Sequence, residues 1–195
     1  MFQCDTAGIG SSSPVGVAFN SSNGFYAIAD SSADEIFVVD STCAIQHQFD
    51  TAGDGMTTPV GITYRPDTDQ YEVVGSSLDD FFIYDATVGP TLGDLDNSFD
   101  IGANSITSPN GLAYNPDDRV SAVSDTSWDQ VFPIDYRGTL VNTFDIAFIG
   151  NTSASDLALN SGTGHLYVLD DLADDVYTWT PAGAFVTICS TASFG

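Results

Sequence analysis

Acidic side chains return at fixed intervals along this 195-residue chain. Asp34, Asp79, Asp129 and Asp174 are separated by steps of 45, 50 and 45 residues, with further acids beside them at Asp30, Asp80, Asp125, Asp170, Asp171 and Asp175. Clustered carboxylate oxygens suit hard cations, Ca²⁺ above all, so these four positions are the candidate metal ligands. Aspartate also builds tight turns, because its carboxylate accepts hydrogen bonds from nearby backbone N–H groups; that structural use is the competing reading. The three cysteines, Cys4, Cys43 and Cys189, are candidates for disulfide formation or assembly. Other chemistry is sparse. His47 and His165 fall in non-equivalent segments with no partner for acid–base work, and no G-x-S-x-G, H-E-x-x-H or C-x-x-C occurs. No catalytic residue is assigned, and no cofactor beyond Ca²⁺ is implied.

The elements that carry these residues are dictated by an internal repeat. Pro14, Val15 and Gly16 return as Pro59, Val60 and Gly61, then as Pro109, Asn110 and Gly111, and in altered form as Ala154, Ser155 and Asp156. Asp40, Asp85, Asp135 and Thr180 keep the same steps. Self-similarity on this scale marks a repeat architecture. Each unit reads as four short strands rich in Val, Ile, Phe and Tyr, in the first copy Val15–Asn20, Phe25–Asp30, Ile36–Asp40 and Ile45–Thr51. No segment sustains a helical apolar stripe, so almost no helix is expected. Five extra residues of the second unit fall between Asp85 and Phe99, in a turn where insertions are cheap. The glycines at 16, 61 and 111 are expected to permit close backbone approach between neighbouring units.

Four strands per unit at this period predict an all-β β-propeller of four four-stranded blades of about 45–50 residues. The expected domain is single, 1–195, with blades over 9–53, 54–103, 104–148 and 149–195 and a spare outer strand over 1–8. The opening "P-x-G-[VIL]-[AT]-[YF]", the second strand "Y-x-[VI]-x-D-S" and the third strand "[DE]-x-[IVF]-[FY]-x-x-D" resemble NHL-type propeller repeats, relatives of the six-bladed lactonase and lyase propellers. That resemblance implies fold. Related calcium-dependent lactonases use Glu, Asn and Asp from several blades, and Glu35 and Glu72, the two glutamates here, stand in no matching first-strand context.

Charge sets the partners. Twenty-seven acidic residues face three arginines and no lysine, a formal net charge of −24. Such a surface repels nucleic acid and anionic membranes and suits cations, basic partners or high salt. No secretory or transmembrane stretch is visible, so neither membrane insertion nor a leader is expected in this chain. Ser, Thr, Asp and Gly richness together with the cysteines points to an extracellular or cell-surface setting.

The chain ends break the pattern. Phe49, Phe99 and Phe144 are equivalent fourth-strand positions, and one step outward lands on Cys4 and Cys189. Strands one to three occur four times and the fourth-strand motif five times, which leaves one outer strand over. Three arrangements account for it: closure with Cys4 beside Cys189, a window on a longer array, or pairing with a neighbouring molecule, for which an unpaired edge is a template. The favoured expectation is a Cys4–Cys189 link between subunits, with Cys43 left as the odd thiol. The function so read is a non-enzymatic extracellular structural protein that self-assembles through its terminal strands into a homo-oligomer, filament, sheath or surface layer. The alternative is a ligand- or Ca²⁺-binding propeller, or a lactonase-like hydrolase.

Overall fold

The computed structural model describes residues 4–180 and 182–192. Sixteen strands form four antiparallel four-stranded sheets, each with its strands in chain order. The first blade holds β1 (Pro14–Asn20), β2 (Phe25–Asp30), β3 (Glu35–Val39) and β4 (Ile45–Asp50). The second holds β5 (Pro59–Arg65), β6 (Gln70–Gly75), β7 (Asp80–Asp85) and β8 (Leu95–Asp100). The third holds β9 (Pro109–Asn115), β10 (Val120–Asp125), β11 (Gln130–Asp135) and β12 (Phe144–Asp145), and the fourth β13 (Ala154–Asn160), β14 (His165–Asp170), β15 (Asp175–Trp179) and β16 (Phe185–Ser190). Three-residue 3₁₀ turns begin at Ala7, Ala52, Gly102 and Ala147. The fold is therefore an all-β propeller of four blades, as the repeat demands. The chain divides into two compact units of two blades each, the first ending at Asp100 and the second starting at Ile101.

Burial follows the strand order. The middle strands are the most covered: Ile36 to Val39 of β3 and Phe81 to Tyr84 of β7 are buried throughout. Outer strands are the most open. In the first unit the core between blades joins Ala18, Ala27, Val38, Tyr64, Tyr71, Val73 and Tyr84, with Phe25 and Phe49 packed against it. In the second unit Ala113, Val131, Leu157, Leu166, Val168, Tyr177 and Trp179 play the same part.

Two glycines of the repeat motif do bring backbones together. A Cβ at Gly16 would stand 3.2 Å from Ile62 Cγ2 and 3.3 Å from Ile62 N, and one at Gly111 would stand 2.6 Å from Asp156 Cα. Both are contacts between the innermost strands of neighbouring blades.

One expectation about the outer strands changes over its described part, and one outer strand is short. The spare outer strand expected over 1–8 lies partly outside the described residues; of the rest, Cys4 and Asp5 are not strand, and Ala7–Ile9 is a 3₁₀ turn like those that lead into the other blades. In the third blade the outer strand is cut to two residues, paired as Gln130↔Asp145 and Val131↔Phe144. The cause is Pro133. Its carbonyl accepts from Val141 N at 2.8 Å, so that residue faces the outer strand, where proline has no N–H to donate.

Candidate functional site

The four candidate metal ligands are turn residues. Asp34, Asp79, Asp129 and Asp174 have φ of 56°, 55°, 49° and 56°, the left-handed conformation that Asp adopts more readily than most side chains. Each precedes the third strand of its blade. Asp34 also ties two blades together: its Oδ1 accepts from Thr58 N at 2.7 Å, and its carbonyl accepts from Thr51 N at 2.8 Å. Among the described residues no three His, Cys, Asp or Glu side chains are grouped so as to hold a metal ion. Burial, and then the charges of Asp170, Asp125 and Asp145, push the Asp129 carboxyl above its ordinary range.

The neighbouring acids Asp30, Asp125 and Asp170 are fully buried and act as clamps. Asp30 Oδ2 accepts from Ser11 Oγ at 2.7 Å and Ser13 N at 2.9 Å, while Oδ1 accepts from Ser32 N and Ala33 N at 2.9 Å each. Asp125 receives Thr107 N at 2.6 Å and Ser127 N at 2.7 Å, and Asp170 receives Thr152 N at 2.7 Å and Leu172 N at 2.9 Å. Each carboxylate thus joins the segment entering the first strand to the turn leaving the second. At Asp30 burial opposes ionisation, yet the hydrogen bonds led by Ser13 N and Ser11 Oγ outweigh it and hold the carboxyl well below the usual carboxylate range. The second blade solves the same place differently: Gly75 replaces the acid, and a Cβ there would lie 2.8 Å from Met56 Cγ.

The third marker series is equally structural. Asp40 Oδ1 accepts from Thr42 N at 2.7 Å and Ala44 N at 3.1 Å, Asp135 Oδ1 accepts from Arg137 N at 2.9 Å and Thr139 N at 2.8 Å, and Thr180 Oγ1 accepts from Ala184 N at 3.0 Å. These are side-chain-capped hairpin turns.

Each of those turns contains a left-handed residue, and here the cysteines become informative. Gly93, Gly138 and Gly183 have φ of 88°, 76° and 79°, and Cys43, at the same place in the first blade, has φ 64°. The ring of Phe49 lies over Gly93, whose Cβ would stand 2.6 Å from Phe49 Cδ1, and the ring of Phe144 covers Gly183 in the same way. An outer-strand Phe of one blade therefore caps the glycine of the next. Cys4 occupies the Phe position one period earlier and Cys43 the glycine position, and these two are joined as a disulfide with Cα atoms 5.6 Å apart. The expected Cys4–Cys189 link is thus replaced by Cys4–Cys43, and the odd thiol is Cys189, exposed on β16. Its register partner is Val176, as Phe49 pairs with Ile36 and Phe144 with Val131.

β16 itself is exposed at all six residues, Phe185, Val186 and Ile188 included. It is the outermost strand of its sheet, hydrogen-bonded on one side to β15.

Other polar groups have structural partners. Glu72, 1% exposed, pairs with Arg65 Nη1 at 3.2 Å between β5 and β6; a glutamate inside the apolar run "YEVV" was the sequence signal for it. Glu35 accepts from Gln48 Nε2 at 2.6 Å. His47 sits beside Phe49, ring centroids 6.1 Å apart, and His165 pairs with Asn160 at the start of β14.

One cavity, of about 330 Å³, was not foreseen. It lies between the third and fourth blades, within the second unit, and its apolar wall includes Val120, Pro133, Phe144, Leu159 and Leu166, with Asn115, Asp118, Asn142 and Thr180 as polar groups. At the equivalent place in the first unit, Phe25, Tyr64 and Tyr71 stand where Val120, Leu159 and Leu166 stand here, and Asn20 Nδ2 donates to Tyr71 Oη and Asp69 Oδ1 at 3.4 Å each. Burial of Tyr71 pushes its hydroxyl up to about 12. Loss of those rings, together with the outer strand shortened by Pro133, opens the space.

No family model matches the chain, and no curated protein matches it. Among solved structures it is similar to Kuenenia stuttgartiensis hydrazine synthase, at 16% identity and TM-score 0.68 over 90% of this chain and 48% of that one. It is also similar to a streptogramin B lyase, at 12% identity and TM-score 0.69 over 92% of this chain and 55% of that one. The chain spans about half the length of these two solved chains. At such identities the likeness is one of fold, and the fold shared is the β-propeller.

Proposed function

We infer that this chain is a non-enzymatic, extracellular structural protein whose propeller blades self-assemble through the terminal strand. The observation that carries the reading is β16: the outermost strand of its sheet, paired among the described strands with β15 alone, exposed at every residue and bearing Phe185, Val186 and Ile188 at 39%, 45% and 43% exposure. Exposed apolar edges recruit further strands unless charge or proline protects them, and strand addition is a general mode of association. Asp30, Asp34, Asp40, Asp125, Asp135 and Asp170 are engaged in turns and clamps, which supports a structural use of the regular repeat. The disulfide supports an oxidising compartment. With a net charge of −24, subunits repel at low ionic strength, and salt that shortens the screening length to about 8–10 Å removes that barrier. Light scattering coupled to size exclusion tests this. Particles larger than one chain that grow with added salt support it, and Val186→Asp with Ile188→Asp returns them to monomer. A monomer at every salt concentration and millimolar Ca²⁺ defeats it.

The cavity favours a second reading, a site for a small apolar ligand, since about 330 Å³ falls within the size range of ligand pockets. A neutral solvatochromic dye is the probe. Saturable one-to-one binding that Leu159→Tyr abolishes supports this reading; featureless partitioning that the variant leaves unchanged rejects it.

A further inference from the structure

The disulfide and the free thiol occupy related places in the repeat, and their relation has a direction. In the first unit Phe49 caps Gly93 of the next blade, and in the second Phe144 caps Gly183. Within each unit, the second blade thus offers a left-handed turn residue that receives the outer-strand residue of the blade before it. At the first blade the receiving residue is Cys43, with φ 64° where the other three blades have glycine. Its occupant is Cys4, which belongs to no complete blade and, with Asp5, lies in no strand. Cys189 carries the same register identity as Cys4 but sits on a formed and exposed strand at the end of the fourth blade.

We propose that the Cys4–Cys43 disulfide is an exchangeable plug, and that Cys189 of a second copy of this chain displaces Cys4 to give a head-to-tail Cys189–Cys43 link. This rests on the self-assembly reading and specifies its partner surface: β16 of one copy seated against the first blade's third hairpin turn, residues 40–44, of the next. The chemistry is balanced without an oxidant. The Cys189 thiolate attacks Cys43 Sγ, a new S–S bond forms as the Cys4–Cys43 bond breaks, and the electron pair leaves on Cys4 Sγ, which takes up the proton lost from Cys189. One disulfide and one thiol enter and one of each leaves. The exchange is driven by what β16 adds. Cys4 and Asp5 lie outside any strand, whereas Cys189 arrives on a strand already ordered against β15, with Phe185, Val186 and Ile188 available for burial. Cys4 and Cys43 are both half-buried rather than enclosed, so the bond lies within reach of an incoming thiolate.

An equimolar mixture of ordinary and ¹⁵N-labelled full-length chain, incubated at pH 8 and moderate salt, tests the exchange. Samples are quenched with iodoacetamide, run on non-reducing gels and digested with pepsin for mass mapping. The expected result is a reducible ladder, a cross-linked peptide joining residue 189 to residue 43 with mixed isotope labels, and alkylation at Cys4 rising in step with the ladder. Cys189→Ser should lose the ladder while keeping the Cys4–Cys43 peptide. A 189–189 or 189–4 peptide overturns the proposal, as does a 189–43 peptide whose halves always carry the same label, which would place the link inside one chain. Assemblies seen by light scattering in which Cys189 stays fully alkylatable refute the exchange and leave noncovalent self-assembly standing. Absence of both ladder and particles refutes the two together.

Discussion

Replacing Gly111 by alanine is the most direct test of how neighbouring blades are held. The position lies on β9, and an added Cβ would stand 2.5 Å from Leu157 N, 2.6 Å from Asp156 Cα and 2.7 Å from Asp156 C. All three are backbone atoms of β13, so no side-chain rotation relieves the contact. Ordinary carbon contacts begin near 3.5 Å, and the two inner strands must part by about 1 Å. Overpacking of this kind costs about 1–3 kcal/mol. Gly111 has no positive φ, so alanine also gains about 0.4–1 kcal/mol by restricting the unfolded chain, leaving a net loss of about 1.3 kcal/mol at the middle of these ranges. Gly16 supplies the control. The same addition there meets Ile62 Cγ2 at 3.2 Å and Ile62 N at 3.3 Å, a shortfall of a few tenths of an ångström, so Gly16→Ala should change stability by less than about 0.5 kcal/mol once the unfolded-state gain is included. For a chain of this size about 1.3 kcal/mol corresponds to a fall in Tm of roughly 3–5 °C. Calorimetry and urea titration of both variants measure the difference. Equal effects, or a larger loss at Gly16, would refute the account of inner-strand contact.

Further outcomes follow from the clamps, the disulfide and the cavity. Asp30→Asn should cost about 1.5–3 kcal/mol at pH 7, the worth of hydrogen bonds to a charged group; because the folded-state pKa of Asp30 is depressed, the contribution is complete above about pH 4 and is lost as pH falls below it, so urea midpoints of wild type and variant should converge on acidification. Asp54 and Asp80 act in the opposite sense, raised by burial and then by Asp50 with Asp94 and by Asp100 with Asp79 respectively, so their removal as Asn should stabilise at neutral pH, with less gain as pH falls toward the carboxylate range. Cys4→Ser opens a loop closed across a separation of 39 residues, which on chain-entropy grounds lowers stability by at most about 4 kcal/mol; equilibrium unfolding with and without reductant should show the same loss in wild type. Leu166→Tyr restores the residue found at Tyr71 and should raise stability by about 0.5–2 kcal/mol, as cavity filling commonly does, whereas Tyr71→Leu should lower it.

The blades were legible in the sequence because independent signals coincide: an apolar strand pattern and a turn aspartate in all four copies, and the Pro-x-Gly opening in the first three. Strand limits in the first blade agree with the sequence reading to within one residue. The acids were visible as a series, but their roles were not separable by composition. Asp30 and Asp34 are four residues apart, and one is a buried clamp while the other is a left-handed turn residue whose carboxylate reaches the next blade. Only the path of the backbone distinguishes them. The disulfide is hidden for a related reason. Cys4 and Cys189 are equivalent by register, but register equivalence is not adjacency: in a propeller a residue's neighbour is the different position facing it from the next blade. Aligning Cys43 with Gly93, Gly138 and Gly183 would have exposed the pairing, but that comparison requires the five-residue insertion of the second blade to be placed first. Pro133 was a plain signal: a proline in a third strand predicts a weakened fourth.

The four blades also record four answers at one buried place. Ser11 faces Asp30, Met56 faces Gly75, Ile106 accompanies Asp125 and Asn151 accompanies Asp170. These pairs are 19 residues apart in every copy, and in the second blade the thioether occupies the room that the carboxylate takes elsewhere. Neither member of that pair can drift alone: an acid at position 75 collides with Met56, and a smaller residue at 56 leaves a hole beside glycine. Exchanging the second blade's solution for any of the other three requires two substitutions with a less stable protein between them, whereas the first, third and fourth blades share the acid and differ at one residue. The second blade therefore cannot be brought to the others one residue at a time, and a designer who wished to average the blades into a consensus would have to move positions 56 and 75 as a coupled pair.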